Sequence, residues 1–275
     1  MRIAVPALLV GALLGIARPS AAAGAAESTA QRLCDVLQGL PERRKAECCT
    51  TSASVGLATA CASELGRAVR DGAVDVDTAD VDRCAADAAR ALDGCDWVTP
   101  YLPAPPPSCR AVVRGRRAAG AACRSSLECR DGFHCSAGVC APPGGAGASC
   151  AGAPDALATV ARQIGDARHP ECTGYCFRGR CTAPVRAGGA CAADQQCAAG
   201  THCVARRCVD GPRPTLGDAC AGSTCDGGLV CIAGRCAPPQ DVGAPCTEPA
   251  DCRAACVAGT CATKCSVWPP SGYTP

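Results

Sequence analysis

Between residues 24 and 97 the apolar positions recur at helical spacing. Leu33, Val36, Leu37 and Leu40 share one face of a helix that opens at a Ser28/Gln31 capping box and ends at Gly39-Leu40-Pro41. Pro41 suits the first turn of a second helix, from Glu42 to about Thr50. A third, over 54–70, turns Val55, Leu57, Cys61, Leu65 and Val69 inward and stops at Gly72. A fourth starts at an Asp77/Thr78 cap, carries Val81, Cys84, Ala88 and Leu92 on one face and stops at Gly94. The pattern predicts a small helical domain over 24–97, braced by Cys34, Cys48, Cys49, Cys61, Cys84 and Cys95.

Beyond residue 97 that periodicity ends. Residues 98–117 are rich in proline and arginine and read as an extended linker ending in Arg110, Arg114, Arg116 and Arg117. From 118 to 265 the regular feature is the spacing of cysteines and glycines, which repeats. One unit runs Cys191, Cys197, Cys203, Cys208, and another with the same frame runs Cys123, Cys129, Cys135, Cys140. Shortened copies are Cys220, Cys225, Cys231, Cys236 and Cys246, Cys252, Cys256, Cys261. A stretched copy is Cys150, Cys172, Cys176, Cys181. Five units follow, at about 120–140, 147–181, 188–208, 217–236 and 243–261, with a tail at 266–275. Gly120, Gly147, Gly188, Gly217 and Gly243 each stand three residues before a first cysteine. Gly138, Gly179, Gly234 and Gly259 fall between the last two cysteines, where a tight β-hairpin needs positive φ; Arg206 takes that place in the third unit. Between these fixed positions the residues vary.

Composition makes the cysteines the dominant structural force. There are 28 of them in 275 residues, against two Trp, three Tyr and two Phe. Such a chain offers little for a large single core and relies on disulfides, each stabilising by about 2–4 kcal/mol. The expected fold class is small and disulfide-rich: a short-helix domain followed by five four-cysteine, hairpin-like units. Arg2, the apolar run from Ile3 to Ile16 and Ala21-Ala22-Ala23 form a secretory leader over 1–23, cut after Ala23. That run is shorter than the ~20 residues a spanning helix needs, so no membrane insertion is expected. The destination is an oxidising one: secreted, periplasmic or cell-surface. Without Arg2 and Arg18, 25 of the 27 basic residues remain against 25 acidic ones, which argues against a nucleic-acid partner.

Three pairings are possible within a four-cysteine unit. First-to-third with second-to-fourth is favoured, because both hairpin strands are then tied to the preceding loop. That order joins Cys123 to Cys135, Cys129 to Cys140, Cys191 to Cys203, Cys197 to Cys208, Cys220 to Cys231, Cys225 to Cys236, Cys246 to Cys256 and Cys252 to Cys261. Cys34, Cys48, Cys49, Cys61, Cys84, Cys95, Cys109 and Cys265 remain, an even set. Cys48 and Cys49 need different partners. A Cys109–Cys265 bond requires the array to fold back; otherwise one of the eight is free or intermolecular. Zinc is disfavoured because no Cys-x-x-Cys occurs, and the same absence counts against a thioredoxin-type site.

No motif points to catalysis, a metal or a cofactor. Asp75, Asp77, Asp80 and Asp82 lack the central glycine and closing Glu of a calcium loop and read as helix capping. His134 and His202 occupy equivalent repeat positions and read as exposed hairpin residues; His169 sits in the insertion at 151–171 with no motif around it. That insertion carries Leu157, Val160, Ala161 and Ile164 on a short apolar face, fit for a partner or for its own unit.

The run Cys123-x5-Cys129-x2-Gly132-x2-Cys135-x2-Gly138-x-Cys140 resembles the N-terminal cysteine-rich region of Dickkopf-type secreted proteins. The whole chain resembles exported Cys-rich proteins of myxobacteria, with Cys48-Cys49, Gly72-Ala73-Val74-Asp75, Cys84, Cys95 and Cys109 as the matching residues of the helical part. The resemblance implies a cysteine-rich repeat fold. The residues themselves lead to a non-enzymatic, exported scaffold that binds a protein or cell-surface partner. The alternative is a secreted protease inhibitor using Arg206-Arg207 or Arg116-Arg117.

Overall fold

The computed structural model describes residues 21–53, 56–99, 102–150, 152, 155–162, 168–220, 225–263 and 265. The expected leader up to residue 20 and the tail at 266–275 lie outside the described residues, as do Val55 and Ile164. The chain is a small disulfide-rich protein with 14 disulfides: a helical N-terminal region, then two-stranded cysteine-rich hairpins. Every one of the 28 cysteines is paired.

Helix α1 spans Ala21–Cys34, passes through a π-helical turn at Asp35–Gly39 and continues as α2, Leu40–Cys49. Two sequence expectations are corrected here. Ser28 does not cap a helix start; it lies inside α1, and its hydroxyl donates to Ala25 O at 2.8 Å. Gly39-Leu40-Pro41 does not end the segment either. Pro41 sits in the first turn of α2, where a missing N–H is tolerated, and the wide π turn carries the chain through, with Leu40 N–H donating to Asp35 O.

Helix α3 spans Gly56–Arg70, strand β1 Val74–Val76 and helix α4 Thr78–Ala91. Asp77 caps α4, its carboxylate accepting from Ala79 N at 2.8 Å and Asp80 N at 3.1 Å. Val81, Cys84, Ala88 and Leu92 are all buried. On α3 the inner face is Cys61, Leu65 and Ala68, whereas Leu57, expected inside, is 49% exposed. Disulfides tie these elements together: Cys34 to Cys61, Cys84 to Cys109, and Cys48 to Cys95.

Much of the stretch expected as a linker, 98–117, belongs to this domain. Cys109, Val112 and Val113 are buried in the main core cluster with Leu33, Leu37, Leu65 and Val81. Strand β2, Val113–Gly115, pairs antiparallel with β1, setting Arg114 opposite Asp75. Proline richness marks an extended chain, but it does not decide whether that chain is solvated. Here Pro103, Pro105 and Pro106 share a groove with Leu37, Ala88 and Leu92, so the segment covers apolar helix surface.

The array consists of five hairpins: β3/β4 (His134–Ser136, Val139–Ala141), β5/β6 (Tyr175–Phe177, Arg180–Thr182), β7/β8 (Thr201–Val204, Arg207–Asp210), β9/β10 (Val230–Ile232, Arg235–Ala237) and β11/β12 (Ala255–Val257, Thr260–Ala262). In each, the third and fourth cysteines stand directly opposite: Cys135 with Cys140, Cys176 with Cys181, Cys203 with Cys208, Cys231 with Cys236, Cys256 with Cys261. Both residues of each two-residue turn have positive φ, as a type I′ turn requires; in the first unit these are Ala137 at 49° and Gly138 at 80°.

Candidate functional site

The repeated unit is a loop folded onto its own hairpin. The first cysteine joins the third and the second joins the fourth in all five units: Cys123–Cys135 with Cys129–Cys140, Cys150–Cys176 with Cys172–Cys181, Cys191–Cys203 with Cys197–Cys208, Cys220–Cys231 with Cys225–Cys236, and Cys246–Cys256 with Cys252–Cys261. Two disulfides are crowded together in each unit. The sulfurs of Cys123, Cys129 and Cys140, for example, lie within 4.8 Å of one another. Because these sulfurs are consumed as disulfides, the groups are the units' miniature cores rather than thiolate metal sites.

Backbone hydrogen bonds repeat with the cysteines. The glycine three residues before the first cysteine donates to the carbonyl of the fourth: Gly120 to Cys140 and Gly147 to Cys181 at 2.8 Å, Gly188 to Cys208 at 2.7 Å, Gly217 to Cys236 and Gly243 to Cys261 at 2.8 Å. The first cysteine then donates to the second turn residue, as Cys123 N does to Gly138 O at 2.9 Å. Two further constrained positions show that the residues between cysteines are less free than the sequence suggests. The residue before the second cysteine carries a side-chain oxygen that accepts an N–H from the loop after the first. Glu128 takes Arg124 N at 2.9 Å, Gln196 takes Ala192 N at 2.6 Å, and Asp251 takes Thr247 N at 2.8 Å. Those bonds from Glu248 and Thr247 hold the Asp251 carboxyl below the usual carboxylate range. In three units an arginine just before the fourth cysteine reaches the carbonyl of the positive-φ glycine: Arg180 to Gly147, Arg207 to Gly188 and Arg235 to Gly217. The signal was present in the sequence as a recurring Glu, Gln or Asp at one register position.

His134 and His202 are not exposed as expected, and His169 is buried as well. His134 and His202 are each 7% exposed and His169 is 3% exposed. Side chains alternate along a strand, so a residue preceding an inward-facing cysteine points to the opposite face, and other chain lies there. His202 Nδ1 is 3.1 Å from Gly211 O. Across the first hairpin the chain returning from the insertion docks: Gly132 N donates to Arg168 O at 2.6 Å, and His169 Nδ1 is 2.9 Å from Phe133 O. A carbonyl only accepts, so the His169 proton sits on Nδ1 and the buried Nε2 carries a lone pair with no partner. Burial, above all, pushes the His169 pKa down.

The acidic run and the basic run neutralise each other. Arg116 pairs with Asp75 at 2.9 Å, Arg114 with Asp80 at 2.5 Å, and Arg32 with Asp82. The Arg114 and Arg116 side chains stay more than half exposed but are ion-paired, so the stretch is not a free cationic loop; Arg117 N donates to Glu128 O at 2.8 Å. Arg206 stands at φ 65° and Ala205 at 45°, in the tip of a type I′ turn, and Arg207 is paired in β8. Arg117 forms a parallel bridge to Cys129 next to β2, so its backbone, like that of Arg207, is already paired within the chain.

The insertion in the second unit docks, and its target is the helical domain of the same chain. Helix α5, Ala156–Val160, is capped by Asp155, whose carboxylate accepts Ala158 N at 3.0 Å and, from the first unit, Ser126 N at 2.7 Å. Leu157 and Ala161 join the main core cluster. Gln38 Nε2 donates to Val160 O, and Arg162 Nη1 donates to Leu37 O, both at 2.6 Å. Finally, Cys265 is bonded to Cys49 across a sequence separation of 216, which returns the array's end to α2. The array does fold back, with Cys49 rather than Cys109 as the partner.

Among the described residues no helix is long and apolar enough to cross a membrane. No family model matches the chain, and no curated protein or solved structure does.

Proposed function

We propose that this protein is a non-enzymatic, exported scaffold: a disulfide-braced array that displays its inter-cysteine loops to a macromolecular partner at the cell surface or outside the cell. The observation that carries the reading is the division of labour within each unit. Two crossed disulfides, the positive-φ glycine and one acceptor side chain hold the backbone, as in the first unit with Cys123–Cys135, Cys129–Cys140, Gly120 and Glu128. Other side chains of the array are left at the surface, among them Val139, Phe177, Val209, Val242 and Val257. Extensive disulfides fit an extracellular or secreted setting. The leader-like start and the Dickkopf-like spacing support export and a binding role.

The test is digestion by proteinase K, before and after reduction, of protein produced in an oxidising compartment. The oxidised array is expected to persist while the reduced chain is lost within minutes. Equal digestion of both forms sinks the scaffold reading, as does turnover of a substrate that survives rigorous purification.

A further inference from the structure

The second unit differs from its neighbours in what its hairpin shows to solvent. Tyr175 and Phe177 stand two residues apart on β5, ring centroids 6.5 Å apart and edge to face. The Arg178 guanidinium lies 5.1 Å over the Phe177 ring. Phe177 is 47% exposed, in a chain with two Phe, three Tyr and two Trp. The unit's own core is Cys150, Cys172 and Cys181 with Ala148, so these rings serve no packing role inside it.

Beside Tyr175 a cleft of about 460 Å³ opens between the second and third units. Pro170, Glu171, Gly174 and Tyr175 line one side, Gln195 and Gln196 the other. That volume falls within the range of small-ligand sites, about 300–1,000 Å³. The Glu171 carboxylate is engaged by Gly152 N at 3.4 Å, and Gln196 Oε1 by Ala192 N at 2.6 Å. What remains for a ligand is an aromatic face, the second Glu171 carboxylate oxygen as an acceptor, the Gln196 amide N–H groups and the whole Gln195 amide. Among the described lining residues there is no cation to hold a phosphate or a carboxylate. An open cleft with a ring on one wall and amide donors and acceptors on the other suits a molecule with one flat C–H face and an edge of hydroxyls.

We infer that this cleft binds neutral carbohydrate, one sugar ring stacking on Tyr175 while its hydroxyls bond Gln195 and Gln196. Phe177, held by Arg178, extends the platform towards a second sugar. The inference rests on the scaffold reading and names the partner's class. The probe is a panel of neutral oligosaccharides (chitotetraose, cellotetraose, laminaritetraose, maltotetraose and mannotetraose), with heparin as the anionic control, titrated into the full oxidised protein. At least one neutral member is expected to bind. Tyr175→Ala should weaken it at least about tenfold, and Phe177→Ala and Gln195→Ala each about threefold or more. Each variant is first checked for complete disulfides by non-reducing mass, and Phe177→Ala decides the matter if Tyr175→Ala does not fold. Binding by no neutral member, binding of heparin alone, or binding that survives all three substitutions overturns the inference. Its failure leaves protease resistance of the array intact, whereas failure of the scaffold reading shows in the digestion itself.

Discussion

Arg206 occupies the second turn position that glycine holds in the other four units, at φ 65°. A left-handed conformation costs a residue with a Cβ roughly 1–2 kcal/mol, offset in part by the greater freedom of glycine in the unfolded chain. Arg206→Gly should therefore stabilise the β7/β8 hairpin by about 0.5–1 kcal/mol, seen as slower hydrogen exchange at Cys203 and Cys208. Gly115 is constrained differently. A Cβ there would lie 1.9 Å from Cys129 O, a backbone atom that cannot move aside. Gly115→Ala should lower the thermal midpoint by several degrees as β2 and the first unit separate. His169 makes stability depend on pH. Its folded pKa lies below the unfolded value of about 6.5, so below that pH the unfolded chain binds more protons than the folded one. The stability His169 contributes is complete above about pH 6.5 and is lost as pH falls towards the depressed folded pKa. A melting series from pH 7.5 to 5 should show the decline. His169→Asn, which keeps an N–H for Phe133 O, should flatten it.

Helix α5 is too short to be stable alone, since isolated helices below about 12 residues are marginal in water. It exists because Leu157 and Ala161 enter the core against α3 and because Asp155 caps it. Leu157→Ala should cost about 2–3 kcal/mol and release the insertion, which limited proteolysis of the oxidised protein would report as new cleavage within 151–171. The four long helical segments were readable from period alone, because α4 shows an unbroken inner face of Val81, Cys84, Ala88 and Leu92. Their junctions were not. A π turn at Asp35–Gly39 leaves no mark in hydrophobic spacing, and Ser28 with Gln31 matches a capping box while lying inside a helix. The hairpins were readable as spacing, since cysteine and glycine positions state where the backbone must turn. The acceptor at Glu128, Gln196 and Asp251 passed unnoticed because three different residue types do one task.

For the molecule as a whole, the bond from Cys49 to Cys265 turns a linear succession of units into a closed ring. Replacing both residues by serine should leave the other disulfides intact on peptide mapping. It should also enlarge the radius of gyration in solution scattering, because the array's end is no longer held at α2. An unchanged radius would mean that packing alone holds the ring shut.

The sequence by itself determined the class of this protein and the frame of its units, because covalent spacing and positive-φ turns are local constraints that a chain states in order. Only the tertiary structure decided where separate pieces meet. The proline-rich stretch joins the core, the insertion docks on α3, the acidic run at Asp75–Asp82 finds Arg114 and Arg116, and Cys265 returns to Cys49. Each of these depends on apolar area or charge brought together from positions far apart in the chain, and no local pattern encodes the partner of a buried face.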